Sequence, residues 1–127
     1  MIVHVNFELA EKSNSILDAY FKAVTSHNIN NIISVFDPDA ELITEKKTYK
    51  GQKSIAKYYT ENIISLASFY PEPGERHFTA SGQNIAVEIK LHANSKVRCV
   101  GDFFTFNDKH ITKLHVYSRQ IESIQTE

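Results

Sequence analysis

The chain has 127 residues, of which 42% are hydrophobic and 23% charged, and these values fit one globular domain with its own core. The formal net charge of −1 provides no basic excess for binding nucleic-acid backbones or anionic membranes, so we expect neither partner.

The cysteine content and the N-terminus both favour a cytoplasmic protein. The single cysteine, Cys99, excludes an intramolecular disulfide, which fits a reducing compartment. The N-terminus lacks the basic start and apolar run of a signal peptide, and no stretch approaches the roughly 20 apolar residues of a membrane span. No Cys/His cluster has metal-ligand spacing, so we expect neither metal nor cofactor, and residues 1–127 form one domain.

Three helices are predicted in the first half of the chain. In residues 10–28, apolar side chains recur at offsets of three and four, as in an amphipathic helix. A short second helix follows in residues 29–36, and it ends there because the residue before Pro38 is disfavoured in the helical region. A third helix is predicted within residues 49–69.

Strands dominate the second half of the chain. Residues 40–49 alternate loosely and predict a strand followed by a charged turn. After a Pro- and Gly-rich break at 71–74, three runs have strand character: 77–93, split near its middle, 96–106 and 110–123.

Helices therefore come first and antiparallel strands last, an order that predicts an α+β domain. We expect three N-terminal helices to wrap one face of a cone-shaped, curved, mostly antiparallel sheet. The mouth of such a cone is a natural site for a small molecule.

One acidic residue, Asp102, interrupts the apolar strand of residues 96–106. A carboxylate in such a strand lies on a wet face, is paired, or holds its proton. Two interpretations stay open. Asp102 is either a neutral acid that donates a hydrogen bond to a developing oxyanion, or a member of a purely structural network. The same choice applies to Tyr20, whose hydroxyl needs a partner on the apolar face of the first helix.

Three stretches together resemble a known superfamily: ILDAYFKAVTSHNINNIISVFDPDAEL (16–42), YKGQKSIAKYY (49–59) and VGDFFTFNDKHITKLHVYS (100–118). In this order they resemble the nuclear transport factor 2-like superfamily, and within it the SnoaL-like polyketide cyclases and ketosteroid isomerases. The resemblance covers nearly the whole chain. It implies a homodimer formed through the open face of the sheet. The fold hosts many functions, from isomerases to transport adaptors and assembly modules, so it does not specify one.

The resemblance to the ketosteroid isomerases implies a polar network. The tyrosine and the protonated aspartate of their oxyanion site fall on Tyr20 and Asp102. A tyrosine that supports the first one through a hydrogen bond falls on Tyr59. The general base of that family, an aspartate on the first strand, falls on Thr44. A threonine hydroxyl cannot shuttle protons at neutral pH, which argues against steroid-type isomerisation.

His115, on the last strand, is a conditional replacement for the missing base. A simple hairpin through residues 107–110 places it opposite Asp102, and both then face the pocket. The alignment with the isomerases instead turns its neighbours toward the pocket. These are Leu114, Val116 and Ser118. A one-residue shift in register exchanges the two arrangements.

The leading hypothesis is a pocket for a small apolar ligand, with isomerase, cyclase or dehydratase chemistry on a carbonyl compound. Tyr20 and Asp102 would hydrogen-bond the carbonyl or enolate oxygen, and His115 would be the base. The predicted pocket lining consists of Phe36, Leu42, Thr44, Tyr58, Phe104 and Val116. The alternative is a non-catalytic ligand-binding or dimeric assembly module of the same fold, which the threonine at the base position favours. A third, weaker alternative is a protein–protein adaptor.

Overall fold

The computed structural model describes residues 4–118, which form helices followed by a curved sheet. In chain order the elements are α1 (Phe7–Thr25), α2 (Ile29–Ser34), β1 (Phe36–Ile43), β2 (Thr48–Lys50), α3 (Gly51–Tyr59), a π-helical turn (Thr60–Ile64), β3 (Tyr70–Phe78), β4 (Asn84–Ala93), β5 (Lys96–Phe106) and β6 (Ile111–Ser118).

The helices form where the apolar spacing predicts them, and α1 begins earlier than expected. Asn6 caps α1, because its side-chain oxygen accepts a hydrogen bond from the backbone N–H of Leu9 at 3.0 Å. Asn28 caps α2 in the same way, with Asn31 as the donor. Among the described residues, no helix is long and apolar enough to cross a bilayer.

One six-stranded sheet has the order β2-β1-β6-β5-β4-β3. All neighbouring strands are antiparallel except β1 and β6, which are parallel. The helices pack against one face of this sheet, which we call the inner face. The predicted α+β class, with three helices wrapping a curved and mostly antiparallel sheet, is confirmed.

Side chains of β5 alternate between the two faces of the sheet. Val100, Asp102 and Phe104 point to the inner face and are buried, whereas Phe103 between them is 51% exposed on the outer face. This alternation places the acidic residue of the strand on the same side as the helices.

Two predicted boundaries are wrong, and prolines explain both. Residues 71–74 do not break the chain but belong to β3, an edge strand, where a proline costs no ladder hydrogen bond. Helix α2 ends at Ser34, and β1 already begins at Phe36. Pro38 is accommodated there because the β1–β6 register is irregular between Phe36 and Glu41.

Candidate ligand-binding site

Tyr20 and Tyr59 form the predicted hydroxyl pair at the inner face. Their oxygens are 2.6 Å apart, with Tyr20 on α1 and Tyr59 at the last residue of α3. Both side chains are buried, and burial raises the pKa of each hydroxyl well above its ordinary value. Both phenols therefore keep their protons at neutral pH and can donate hydrogen bonds.

Asp102 is the buried acid of this site, with 5% of its surface exposed. Its Oδ1 atom is buried and accepts no hydrogen bond from residues 4–118. Burial raises the pKa of its carboxyl group from 3.8 to about 7. The carboxyl group is thus neither exposed to water nor paired with a hydrogen-bond donor of the described chain, which are two of the three situations expected for an acid in an apolar strand. Its charge also raises the pKa values of Tyr20, Tyr58 and Tyr59, so the four groups share one electrostatic environment.

An inner chamber of about 40 Å³ connects these groups. Its lining consists of Tyr20, Phe21, Val24, Tyr58, Tyr59, Ile63, Phe69, Pro71, Ile89, Leu91, Val100, Asp102 and Val116. The lining is largely apolar, with the carboxyl group and the three phenol groups as its polar atoms. Such a lining fits an apolar molecule that carries one oxygen function.

An outer chamber of about 310 Å³ adjoins the inner one. The residues that line both chambers are Tyr58, Ile63, Phe69, Leu91, Val100 and Val116. Because both chambers share these residues, they lie side by side on the inner face of the sheet. Two predicted lining residues, Tyr58 and Val116, lie at this junction.

Three other predicted lining residues lie behind the pocket rather than in its wall. Phe36, Leu42 and Phe104 are fully buried in the core and line neither chamber. The rings of Phe104 and Phe36 pack edge-on against Tyr20, with centroids 5.3 and 6.1 Å from its ring. They hold that tyrosine in place and do not touch the cavity, so their predicted place in the lining is wrong.

Thr44, expected at the position of the general base, lies outside both chambers. Strand β1 ends one residue earlier, and Thr44 closes the turn to β2. Its hydroxyl donates to the carbonyl oxygen of Lys47 at 3.1 Å and accepts from the backbone N–H groups of Lys46 and Lys47. Because these turn contacts use the hydroxyl, the predicted place of Thr44 in the pocket lining is wrong.

His115 lies on the outer face, away from Asp102. The hairpin starts in the simple register, with Phe106 opposite Ile111, but a β-bulge then shifts the pairing by one residue. Val116 is consequently the partner of Asp102, and His115 is the partner of Phe103. The register that turns His115 inward is therefore wrong, and the histidine cannot act as base in this pocket.

Two cationic residues of the outer chamber, Lys96 and Arg98, were not among the predicted site residues. The sequence could have indicated them. Lys96 and Arg98 are an even number of positions from Asp102 on the same strand, so all three side chains lie on one face of the sheet. Within residues 4–118 no group of three or more His, Cys, Asp or Glu side chains is placed to hold a metal ion.

The sequence matches no protein-family model and no curated protein. Solved structures do share the fold. One is the epoxide hydrolase/cyclase-like enzyme SalBIII of pyran ring formation in salinomycin, with TM-score 0.75, 21% identity, and coverage of 87% of this chain and 92% of that one. A steroid delta-isomerase from Pseudomonas aeruginosa has TM-score 0.71 and 15% identity, with 87% and 81% covered. A nuclear transport factor 2-like protein of unknown function from Burkholderia xenovorans has TM-score 0.75 and 14% identity, with 91% and 88% covered.

These likenesses confirm that the chain has the nuclear transport factor 2-like fold, in the form shared by SnoaL-like cyclases and ketosteroid isomerases. At such low sequence identity they establish the fold alone.

Proposed function

We propose that the cavity binds a small apolar carbonyl compound and that the protein catalyses its isomerisation, cyclisation or dehydration by proton transfer at Asp102. One observation carries the proposal: Asp102 lines the inner chamber, and one oxygen of its buried carboxyl group has no hydrogen-bond partner among residues 4–118. A carboxyl group with a pKa of about 7 populates both protonation states at neutral pH, which is what a general acid–base group needs.

In this mechanism Asp102 takes the place of both Thr44 and His115. Its ionised carboxylate accepts a proton from the carbon next to the carbonyl group of the ligand. The neutral carboxyl group then returns that proton to another carbon, so a single acid–base residue is sufficient for an isomerisation. The apolar lining keeps water away and strengthens these interactions.

Tyr20 stabilises the enolate oxygen in the same mechanism. Tyr20 lines the inner chamber, and its hydroxyl would donate a hydrogen bond as negative charge develops on the ligand. When Tyr59 donates to Tyr20 across their 2.6 Å contact, the Tyr20 proton remains available to the ligand. Tyr59 is then a positioning residue.

Hydrogen–deuterium exchange tests this function. Apolar ketones are incubated with the protein in D2O, and loss of the proton signal next to the carbonyl group is followed by NMR. Asp102→Asn is expected to lower the protein-dependent exchange rate by about 10²–10⁴-fold. Asp108→Asn, in the exposed turn after β5, is the matched control and leaves the rate unchanged. Undiminished exchange in Asp102→Asn would overturn the proposal.

A second function is favoured by the composition of the lining. Within the described chain, Asp102 is the only carboxylate or histidine that lines either chamber. In a non-catalytic binding module it would stay protonated and donate one hydrogen bond to the ligand oxygen. Saturable ketone binding with no protein-dependent deuterium exchange would identify such a module.

We also propose that a second copy of the chain covers the outer face of the sheet. Large apolar side chains are exposed there: Val97, Phe103 and Tyr117. The rings of Phe103 and Tyr117 pack edge-to-face, with centroids 5.3 Å apart, and form one continuous apolar surface. Exposed apolar patches of this kind are typical of protein–protein contacts.

A further inference from the structure

The inner face of β5 changes in character along its length. Asp102 lies at the inner chamber, Val100 lines both chambers, and Arg98 and Lys96 line only the outer one. Asp102 and Arg98 are four positions apart in the sequence, which is a distance of roughly 13 Å along an extended strand. The two adjoining chambers thus carry an acid in the inner one and two cations in the outer one.

The two cations are not neutralised within the described chain. In residues 4–118 neither Lys96 nor Arg98 takes part in an ion pair, and no acidic side chain lines the outer chamber. Arg98 lies close enough to Tyr58, at the junction of the chambers, to oppose the rise in the pKa of that hydroxyl. Its positive charge therefore acts on the cavity as well as on the solvent.

The wall between the two ends is apolar. The side chains that line both chambers include Ile63, Leu91 and Val116, and none of them carries a charge. A bound molecule would meet hydrocarbon along its middle, cations at the outer end, and hydrogen-bonding groups at the inner end. An anionic end would avoid the ionised carboxylate of Asp102 and lie in the outer chamber, beside the two cations.

From this arrangement we infer that the ligand is an amphipathic carboxylate, whose apolar chain spans the two chambers and whose anionic group binds Arg98 and Lys96. This inference rests on the proposed function, because it places the carbonyl group of the same ligand at Asp102 and Tyr20. Arg98 is the stronger partner, since its guanidinium group can hold a carboxylate by two parallel hydrogen bonds. The charged contacts set the direction in which the ligand enters.

A matched pair of probes tests the inference by isothermal titration calorimetry. One probe is a linear keto acid with its ketone and carboxylate at opposite ends, long enough for a span of roughly 13 Å. The other is its uncharged methyl ester. The keto acid is expected to bind roughly fivefold more tightly, the size of a charge contact that stays partly in water, and added salt should reduce the preference.

Substitutions test whether Arg98 and Lys96 cause the preference for the keto acid. Arg98→Gln combined with Lys96→Gln is expected to abolish the preference for the acid and to leave the affinity for the ester unchanged. Lys109→Gln removes one charge in the turn at the other end of β5, and it should keep the full preference. Equal affinity of the unmodified protein for the acid and the ester would overturn the inference about the anionic group. It would not affect the proposed pocket. A preference that survives the double substitution would also overturn it. Failure of both probes to bind would overturn the proposed pocket as well.

Discussion

Asp102 is the carboxyl group that lines the inner chamber, and its burial opposes its ionisation. Its carboxyl group is buried, with Oδ1 lacking a hydrogen bond from residues 4–118, so ionisation is opposed by lost hydration. A protein retains such a group at a cost in stability, which is common where function requires it.

The stability of the protein should therefore depend on pH through this residue. The folded-state pKa of about 7 lies above the ordinary value of 3.8, so between these values the folded state binds more protons than the unfolded state. The free energy of unfolding is then expected to fall as pH rises from about 4 to about 7, by an amount of roughly 4 kcal/mol. Asp102→Asn should remove this fall, as measured by urea denaturation at several pH values. An unchanged pH dependence in Asp102→Asn would contradict the assignment.

Tyr59 offers a prediction about positioning. Tyr59→Phe removes the partner of the buried Tyr20 hydroxyl and should lower the free energy of unfolding by about 1–3 kcal/mol. It should also slow ketone exchange, because the phenol of Tyr20 is no longer held. Tyr117→Phe, which alters a half-exposed phenol on the outer face, is the control and should change neither quantity. Full exchange activity in Tyr59→Phe would remove the positioning role.

At the scale of elements, the sequence was sufficient for the two longer helices and for the succession of helices and then strands along the chain. Apolar spacing located α1 and α3, whereas the sequence left the facing of Asp102 open. The β-bulge in the β5–β6 hairpin was not predictable from composition, because the hairpin sequence is compatible with both registers; the β1–β6 pairing is also irregular. That single shift decided whether His115 or Val116 faces the pocket. The prolines of β3 led to the wrong prediction of a break at residues 71–74. A strand accepts proline at the edge of a sheet, and the sequence does not show that β3 lies there.

The junction of α1 with the β3–β4 turn provides a prediction about packing. Gly82 has φ of +77°, and a Cβ atom there would lie 2.6 Å from the backbone nitrogen of Ala10. Its carbonyl oxygen also accepts a hydrogen bond from the buried hydroxyl of Ser13 at 2.7 Å. Gly82→Ala should therefore displace α1 and destabilise the fold by about 2 kcal/mol or more.

The matched control is Gly101→Ala within β5. A Cβ atom there meets its nearest neighbour, a ring carbon of Phe103, at 3.9 Å, which is an ordinary contact. Thermal denaturation of the two variants compares them directly. If Gly82→Ala melted at the same temperature as Gly101→Ala, the close approach between helix and turn would be wrong.

For the whole molecule, the helices close one face of the sheet and leave the other exposed. The cavity lies on the closed face, and the proposed contact with a second copy uses the opposite one. Catalysis and association should therefore be separable by substitution.

Phe103→Lys together with Tyr117→Lys tests the association. These substitutions place like charges in the apolar surface of the outer face and should convert a dimer into a monomer, as measured by sedimentation velocity. Lys113→Gln, on strand β6 with Tyr117 but near the β5–β6 turn, is the control and should leave the dimer intact. A monomeric unmodified protein, or a dimer that resists the double substitution, would exclude the outer face as the contact.

We propose that Asp102 is a buried acid that exchanges its proton near neutral pH. A ¹³C NMR titration of the aspartate side-chain carboxyl carbons, with Asp102→Asn to assign its signal, measures this most directly. We predict a midpoint at a pH of about 7 for Asp102, far above the ordinary value of 3.8. A midpoint near the ordinary value would show a hydrated or paired carboxylate and would contradict both the site and the chemistry assigned to it.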